Sequence, residues 1–218
     1  MNNIQAFVFA SISRDSGRFA VNKSYIMYGA GAIALYELLK LGRLTCNGKS
    51  VTSVSSASVT SDILDEVNKL IIKKGSPYKM RSLISAVPYK IRSLFRQLAE
   101  NLEDNGLIRL EQGRFLGLMP YNRYVVTNEG KHEKMLFELK YVLIAGNRRA
   151  EPDMAFLISL LYICRVLKNL FRKEEKKELK EVFRSIGKFS FFETLDASSV
   201  SVLKAVRDAI TAAEAVAT

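Results

Sequence analysis

Ser24–Gly42 reads SYIMYGAGAIALYELLKLG. Ser24 can cap a helix and Gly42 can end one in a left-handed turn; between them only Glu37 and Lys40 are charged. A helix that is apolar nearly all round has no face to give to water, so it belongs at the centre of a packed domain. Its apolar run falls short of the ~20 residues that span a bilayer. Met154–Cys164, which carries no charge, is shorter still, and both are expected as buried core helices. Gly29-Ala30-Gly31-Ala32 presents little side chain, which suits close helix–helix approach. A phosphate-cradling glycine loop is the other reading, supported only by one GxG inside a helical pattern.

Outward from this helix the chain alternates helical runs with short turns. Ile4–Ser13 is apolar, with a periodicity that fits strand or helix, and Arg14–Arg18 is a turn. Arg43–Val54 holds short strands about Asn47-Gly48, a hairpin signal, and Ser53–Ser61 is a Ser-rich surface loop. Thr60 or Ser61 caps a helix through Lys74, with Asp62, Asp65 and Glu66 suited to its positive end. Gly75-Ser76-Pro77 breaks the chain, and a short helix covers Lys79–Ala86. Asn128 caps a helix over Glu129–Ala145 that Gly146 ends. Pro152 starts another, to about Phe171. Arg172–Glu181, RKEEKKELKE, is a mixed-sign run expected as a solvated helix face, and a last helix covers Ser198–Val216. The fold expected is mainly α: a single helical domain, residues 1–218, around a buried central helix with short β-hairpins.

Pro88–Val126 carries the functional argument. Pro88 suits a first helical position, and Ile91, Leu94, Phe95, Leu98 and Leu102 follow at the spacing of one helix face, with Gly106 as the stop. A strand Leu107–Glu111, a Gln112-Gly113 turn and a returning strand Arg114–Met119 are expected, then a short strand Arg123–Val126. Lys90, Arg92 and Arg96 fall on the polar side of the helix. Phe115, Leu116, Leu118 and Met119 make the hairpin more apolar than a solvated loop requires; alternation puts Phe115 and Gly117 on one face and Leu116 and Leu118 on the other.

Charge points the same way. The 218 residues carry a formal net charge of +11, which argues for an anionic partner, nucleic acid or a membrane surface. From Val67 to Ala99 there are eight basic residues, Lys69, Lys73, Lys74, Lys79, Arg81, Lys90, Arg92 and Arg96, with no Asp or Glu among them. A merely solvated surface mixes signs. Cys46 and Cys164 are far apart and in no ligand spacing, as expected of thiols in a reducing, cytoplasmic compartment. The N-terminus lacks a basic region followed by a long apolar core, so no signal peptide is expected. The one histidine, His132, sits between Lys131 and Glu133 on an expected polar helix face, without partner ligands for a metal. No nucleophile–base set is built by local spacing, so neither catalysis nor a cofactor is expected.

Several pieces in order resemble the Golgi phosphoprotein 3 family: Tyr36-Glu37-Leu38-Leu39-Lys40-Leu41-Gly42-Arg43-Leu44, then Ile63-Leu64-Asp65-Glu66, then Leu98–Ile108 (LAENLEDNGLI), with Arg114-Phe115-Leu116-Gly117-Leu118 where that family has its apolar hairpin. The resemblance covers roughly residues 4–185. It implies a mainly helical domain around a buried helix. It also implies a peripheral membrane protein on the cytosolic face of a membrane, the Golgi in a eukaryote, that binds phosphatidylinositol 4-phosphate. The hairpin Phe115, Leu116, Leu118 and Met119 would serve membrane insertion or self-association, and a protein client is a further implied partner. Of the family's head-group positions, one arginine aligns with Arg92, while Asn22 stands at the tryptophan and Gly31 and Phe95 at two further arginines. Lys23, Lys90 and Arg96 lie near in sequence and supply charge to a lipid head group.

The same stretch also reads as a winged helix. Lys90, Arg92, Arg96 and Gln97 would then enter a major groove, with Arg109, Arg114 and Arg123 on the wing against phosphates. Its apolar tip suits a bilayer or a protein partner, such as a second copy, better than DNA.

Overall fold

The structure, a computed structural model, describes residues 1–55, 61–74, 77–91, 93–115 and 119–217. The ambiguous N-terminal segment is a helix, α1 (Asn3–Ala10). Gln5 N–H donates to Asn2 Oδ1 at 2.9 Å, while Asn2 N–H donates to Gln5 Oε1 at 3.0 Å. This reciprocal cap satisfies two donors that a helix start leaves open. Phe7, Val8, Phe9 and Ala10 are all buried, which a helix can do when packed on every side. A two-residue strand pair follows, β1 (Ile12–Ser13) with β2 (Arg18–Phe19).

The central helix is α2, Lys23–Lys40. Asn22, two residues earlier than Ser24, caps it by accepting the Ser24 N–H at 2.8 Å. Every residue from Ile26 to Tyr36 is buried, as the run of small and apolar residues demands. Gly42, at φ +65°, turns the chain out, and Arg43 N–H closes on Leu38 O at 2.9 Å. α2 packs against α1, α3 (Asp62–Lys74), α4 (Met80–Lys90) and α10 (Ala197–Ala217). The glycines set two of these approaches. A Cβ on Gly29 would lie 2.1 Å from Cζ of Phe7 on α1, and one on Gly31 would lie 3.1 Å from Cγ2 of Val87 on α4. Both are buried mid-helix, so the Gly-Ala run is a packing seam.

The expected hairpin at Asn47-Gly48 is β3 (Leu44–Asn47) with β4 (Ser50–Ser53), extended by β5 (Tyr78–Lys79). The helix expected from Pro88 differs. Pro88 lies in the last turn of α4, where its missing N–H removes one helical bond. The helix ends at Ile91 (φ −106°, ψ 76°), and α5 begins afresh at Leu94 and runs to Asp104. Ile91 and Leu94, on either side of the break, are both buried, and the break puts Lys90 and Arg96 on different helices.

The hairpin is also longer than expected. β6 (Ile108–Phe115) pairs antiparallel with β7 (Met119–Val126), from Ile108↔Val126 to Phe115↔Met119. Gln112 and Gly113 are paired ladder positions, opposite Asn122 and Tyr121. Phe115 and Met119 face one another across the last rung instead of sharing one strand. Arg123–Val126, expected as a separate strand, is the end of β7.

After the hairpin, α6 (Glu129–Ile144) is capped by Asn128, which accepts the Lys131 N–H at 3.1 Å, and is ended by Gly146 at φ +64°. α7 (Pro152–Ile163) is shorter than expected. The chain reverses at Arg165, φ +66°, and makes a 3-10 turn over Leu167–Leu170. The mixed-sign run forms α8 (Lys173–Glu178) and opens α9 (Lys180–Gly187). The fold is mainly α, and its buried apolar residues form one continuous cluster from Ala6 to Ile210.

Candidate functional site

The N-terminus of α5 is where the expected cations meet the fold. On one side, Lys23 leaves the first turn of α2 and places Nζ 3.9 Å over the Phe95 ring. Phe95 packs edge-on to Phe19 of β2 at 5.1 Å, and Phe19 packs against Tyr124 of β7 at 4.8 Å. Lys23 thus rests on an aromatic cluster that joins α5 to the root of the hairpin, a contact of about 0.5–2 kcal/mol. Burial pushes the Tyr124 phenol up from its ordinary value. The root is fixed from below as well: Tyr124 N–H donates to Gly17 O at 2.7 Å.

On the other side, Lys69 and Lys73 of α3 and Lys90 of α4 line an open groove of about 630 Å³, with Leu70, Ile91 and Ser93 and one acid, Glu66. Glu66 accepts a hydrogen bond from Gln97 Nε2 at 3.2 Å, and Lys69 pairs with Asp65 one helical turn back. Lys90 is exposed. Arg96 is exposed too, 3.5 Å from Glu100.

Of the expected head-group residues, Lys23, Lys90 and Arg96 therefore surround the start of α5, while Arg92 lies outside the described residues. In the hairpin, Leu116 and Leu118 lie outside them as well. Phe115 and Met119 are placed only by their strand pairing, which brings the two ends of the connection together. Lys69 and Lys73 come from the basic block read in the sequence, while the Phe19–Tyr124 pair belongs to this surface but was not singled out from the sequence. Its two rings arrive from distant segments, and no local spacing marks them.

Three of the positions aligned by resemblance with head-group residues, Asn22, Gly31 and Phe95, are used differently. Asn22 is spent on the α2 cap. Gly31 faces Val87 at a distance that leaves no room for an arginine. Phe95 supplies the ring under Lys23. Of the residues named for a winged helix, Gln97 donates to Glu66 of α3, Lys90 stands on another helix than Arg96, and Arg109 pairs with Glu111 at 2.6 Å.

His132 corrects an expectation. It is buried, not on a polar face, with its ring 4.7 Å from that of Phe9. The inner side of α6 runs His132, Met135, Leu139, Leu143, a helical spacing that its charged neighbours disguise. Neither ring nitrogen has a hydrogen-bond partner among the described residues. Burial holds its pKa below the ordinary histidine value.

A polar cluster on the far side of α2 explains part of the motif Tyr36–Leu44. Tyr36 stacks on Phe156 at 4.0 Å and donates to Asp153 Oδ1 at 2.7 Å, and Lys40 Nζ reaches the same oxygen at 2.7 Å. Burial works to raise the Asp153 pKa, but the hydrogen bonds from Lys40 and Tyr36 outweigh it and hold the carboxyl below its ordinary range. These residues tie α2 to α7. Among the described residues no group of three metal-ligating side chains forms, and none of their helices is long and apolar enough to cross a membrane.

Fold and surface together define a mainly helical protein with a basic face beside a projecting hairpin. A comparison with curated proteins finds no match. The family model of Golgi phosphoprotein 3 (GPP34) matches residues 4–213, nearly the whole chain. The chain belongs to that family.

Proposed function

We propose that this protein is a peripheral membrane protein that binds anionic phospholipid, phosphatidylinositol 4-phosphate by its family, through the cations around the start of α5 and the tip of the β6–β7 hairpin. The observation that carries this reading is the placement of Lys23 on Phe95, at the root of the hairpin. It links the hairpin to a surface whose other side is lined by Lys69, Lys73 and Lys90. An anionic leaflet attracts each nearby Lys or Arg by about 1 kcal/mol, within a Debye length of about 8–10 Å. Apolar hairpin side chains entering the bilayer add about 1.5–3 kcal/mol each when fully buried. In a eukaryotic cell the address is the cytosolic face of the Golgi, with a protein client held there and self-association through the hairpin as further roles.

Cosedimentation with phosphatidylcholine vesicles, with and without phosphatidylinositol 4-phosphate or phosphatidylserine, tests this. Lys90→Ala, Arg92→Ala and Arg96→Ala together remove about 3 kcal/mol, on the order of 100-fold in affinity. A folded triple variant that sediments like the wild type would remove this surface from the account. Tight binding to duplex DNA with none to vesicles would favour the winged-helix reading.

A further inference from the structure

The run Arg172–Glu181 mixes signs in sequence, yet the fold sorts them. Lys176, Lys180 and Arg184 stand four residues apart along α8 and α9 and form one wall of an open groove of about 510 Å³; Lys168 and Tyr162 form the other. The floor is aromatic: Phe183 is buried, and its ring stacks with that of Tyr162 at 6.0 Å. Gly187 allows this, because a Cβ there would press within 3.1 Å of Tyr162 Cε1. Lys168 Nζ lies 5.4 Å over the Tyr162 ring.

Nearby acids do little to neutralise the groove. Glu175 turns away: it accepts the Arg172 N–H at 2.6 Å and takes Lys140 Nζ at 3.4 Å. The Arg172 N–H, with a smaller contribution from Lys140, holds its carboxyl below the ordinary range. Glu181 is the one acid lining the groove, 3.8 Å from Arg184, with both side chains largely exposed. Lys168, Lys176 and Lys180 form no ion pair among the described residues. Like charges one helical turn apart destabilise a helix, and in a chain of net charge +11 that repulsion is not relieved from a distance.

We propose that this groove is a second anion site, and that its ligand is a phosphate monoester. A dianion relieves the repulsion among four cations. The Arg184 guanidinium can take two phosphate oxygens at once while the lysines act as point charges. The aromatic floor accepts the apolar side of whatever carries the phosphate. This site is separate from the α5 surface and does not rest on the function proposed for it. The same group is presented by a soluble metabolite or by a lipid head group.

Glycerol 3-phosphate, followed by its phosphorus resonance, and phosphatidylcholine vesicles containing phosphatidic acid present one head group in the two settings. Lys176→Gln, Lys180→Gln and Arg184→Gln change exposed side chains, so the fold is retained, which circular dichroism checks. The α5 triple variant is the control, since it also loses three positive charges but at another place. The result expected is binding of glycerol 3-phosphate by the wild type and the α5 variant, weakened at least tenfold in the ridge variant. Weaker vesicle binding when the Lys176, Lys180 and Arg184 changes are added to the α5 variant than by the α5 variant alone assigns the site to the lipid; loss of the soluble ligand alone assigns it to a metabolite. No binding of either probe by the wild type, or equal binding by the ridge variant, overturns the proposal.

Discussion

Replacing Gly29 by alanine adds one methyl group where α2 meets α1. The new Cβ would lie 2.1 Å from Cζ, 2.5 Å from Cε1 and 3.0 Å from Cε2 of Phe7. Phe7 is fully buried, and a close-packed core gives its ring little space to retreat. Overpacking of this kind costs about 1–3 kcal/mol. Against it, alanine in a helix interior is favoured over glycine by about 1 kcal/mol. With three ring atoms inside contact distance the upper part of the range applies, leaving a net loss of about 2 kcal/mol. For a chain of this length that lowers Tm by about 4–8 °C, readable in a thermal melt followed by circular dichroism. Phe7→Leu removes the far end of the ring, so in a double-mutant cycle Gly29→Ala should cost less in the Phe7→Leu background than in the wild type. A Gly29→Ala protein as stable as the wild type, or strict additivity in the cycle, would refute the packing account and reopen the phosphate-loop reading of Gly29 and Gly31.

Gly42→Ala tests backbone strain without contact: nothing lies within 4 Å of a Cβ there, but φ is +65°, so a loss of about 1–2 kcal/mol is expected in a urea melt. His132 gives a pH dependence. Its folded pKa lies below the unfolded value, chiefly through burial, which the nearby Phe9 backbone opposes, with Arg14 lowering it and Glu133 raising it. Its contribution is therefore complete above the unfolded value of about 6.5 and is lost as pH falls below it, because the unfolded chain takes up the proton first. His132→Phe should flatten the stability profile below about pH 6.5, and an unchanged slope would show that other groups carry it. Raising salt from 0.05 to 0.5 M should weaken vesicle binding only in part, since inserted apolar area is not screened; complete loss would leave the hairpin without an insertion role. Tyr36→Phe removes a hydrogen bond to Asp153 and should cost about 1 kcal/mol in the same melts, with Lys40→Met adding less than its separate effect because both bind one carboxylate oxygen.

The sequence alone determined the mainly helical architecture and its buried centre. Local chemistry suffices there: a helix with two charges cannot face water, and Asn128, Gly42 and Gly146 punctuate helices through their own backbone and side-chain preferences. It also determined the concentration of positive charge between Val67 and Ala99, and the ordered motifs by which the family is recognised. The tertiary structure decided what local pattern leaves degenerate. Periodicity ran Pro88 and Leu102 into one helix, because the apolar spacing carries on through the break that the backbone makes at Ile91. Gln112-Gly113 has the composition of a turn, yet strand pairing carried it into the ladder. His132 stands between charged residues, and only the arrival of Phe9 from α1 makes it an inner position. Lys23 on Phe95 is a contact between segments far apart in the chain, and the groove beside α8 and α9 depends on Tyr162 stacking on Phe183. Helix and strand periods fix which side chains share a face, but which faces meet is set by the packing of the whole core.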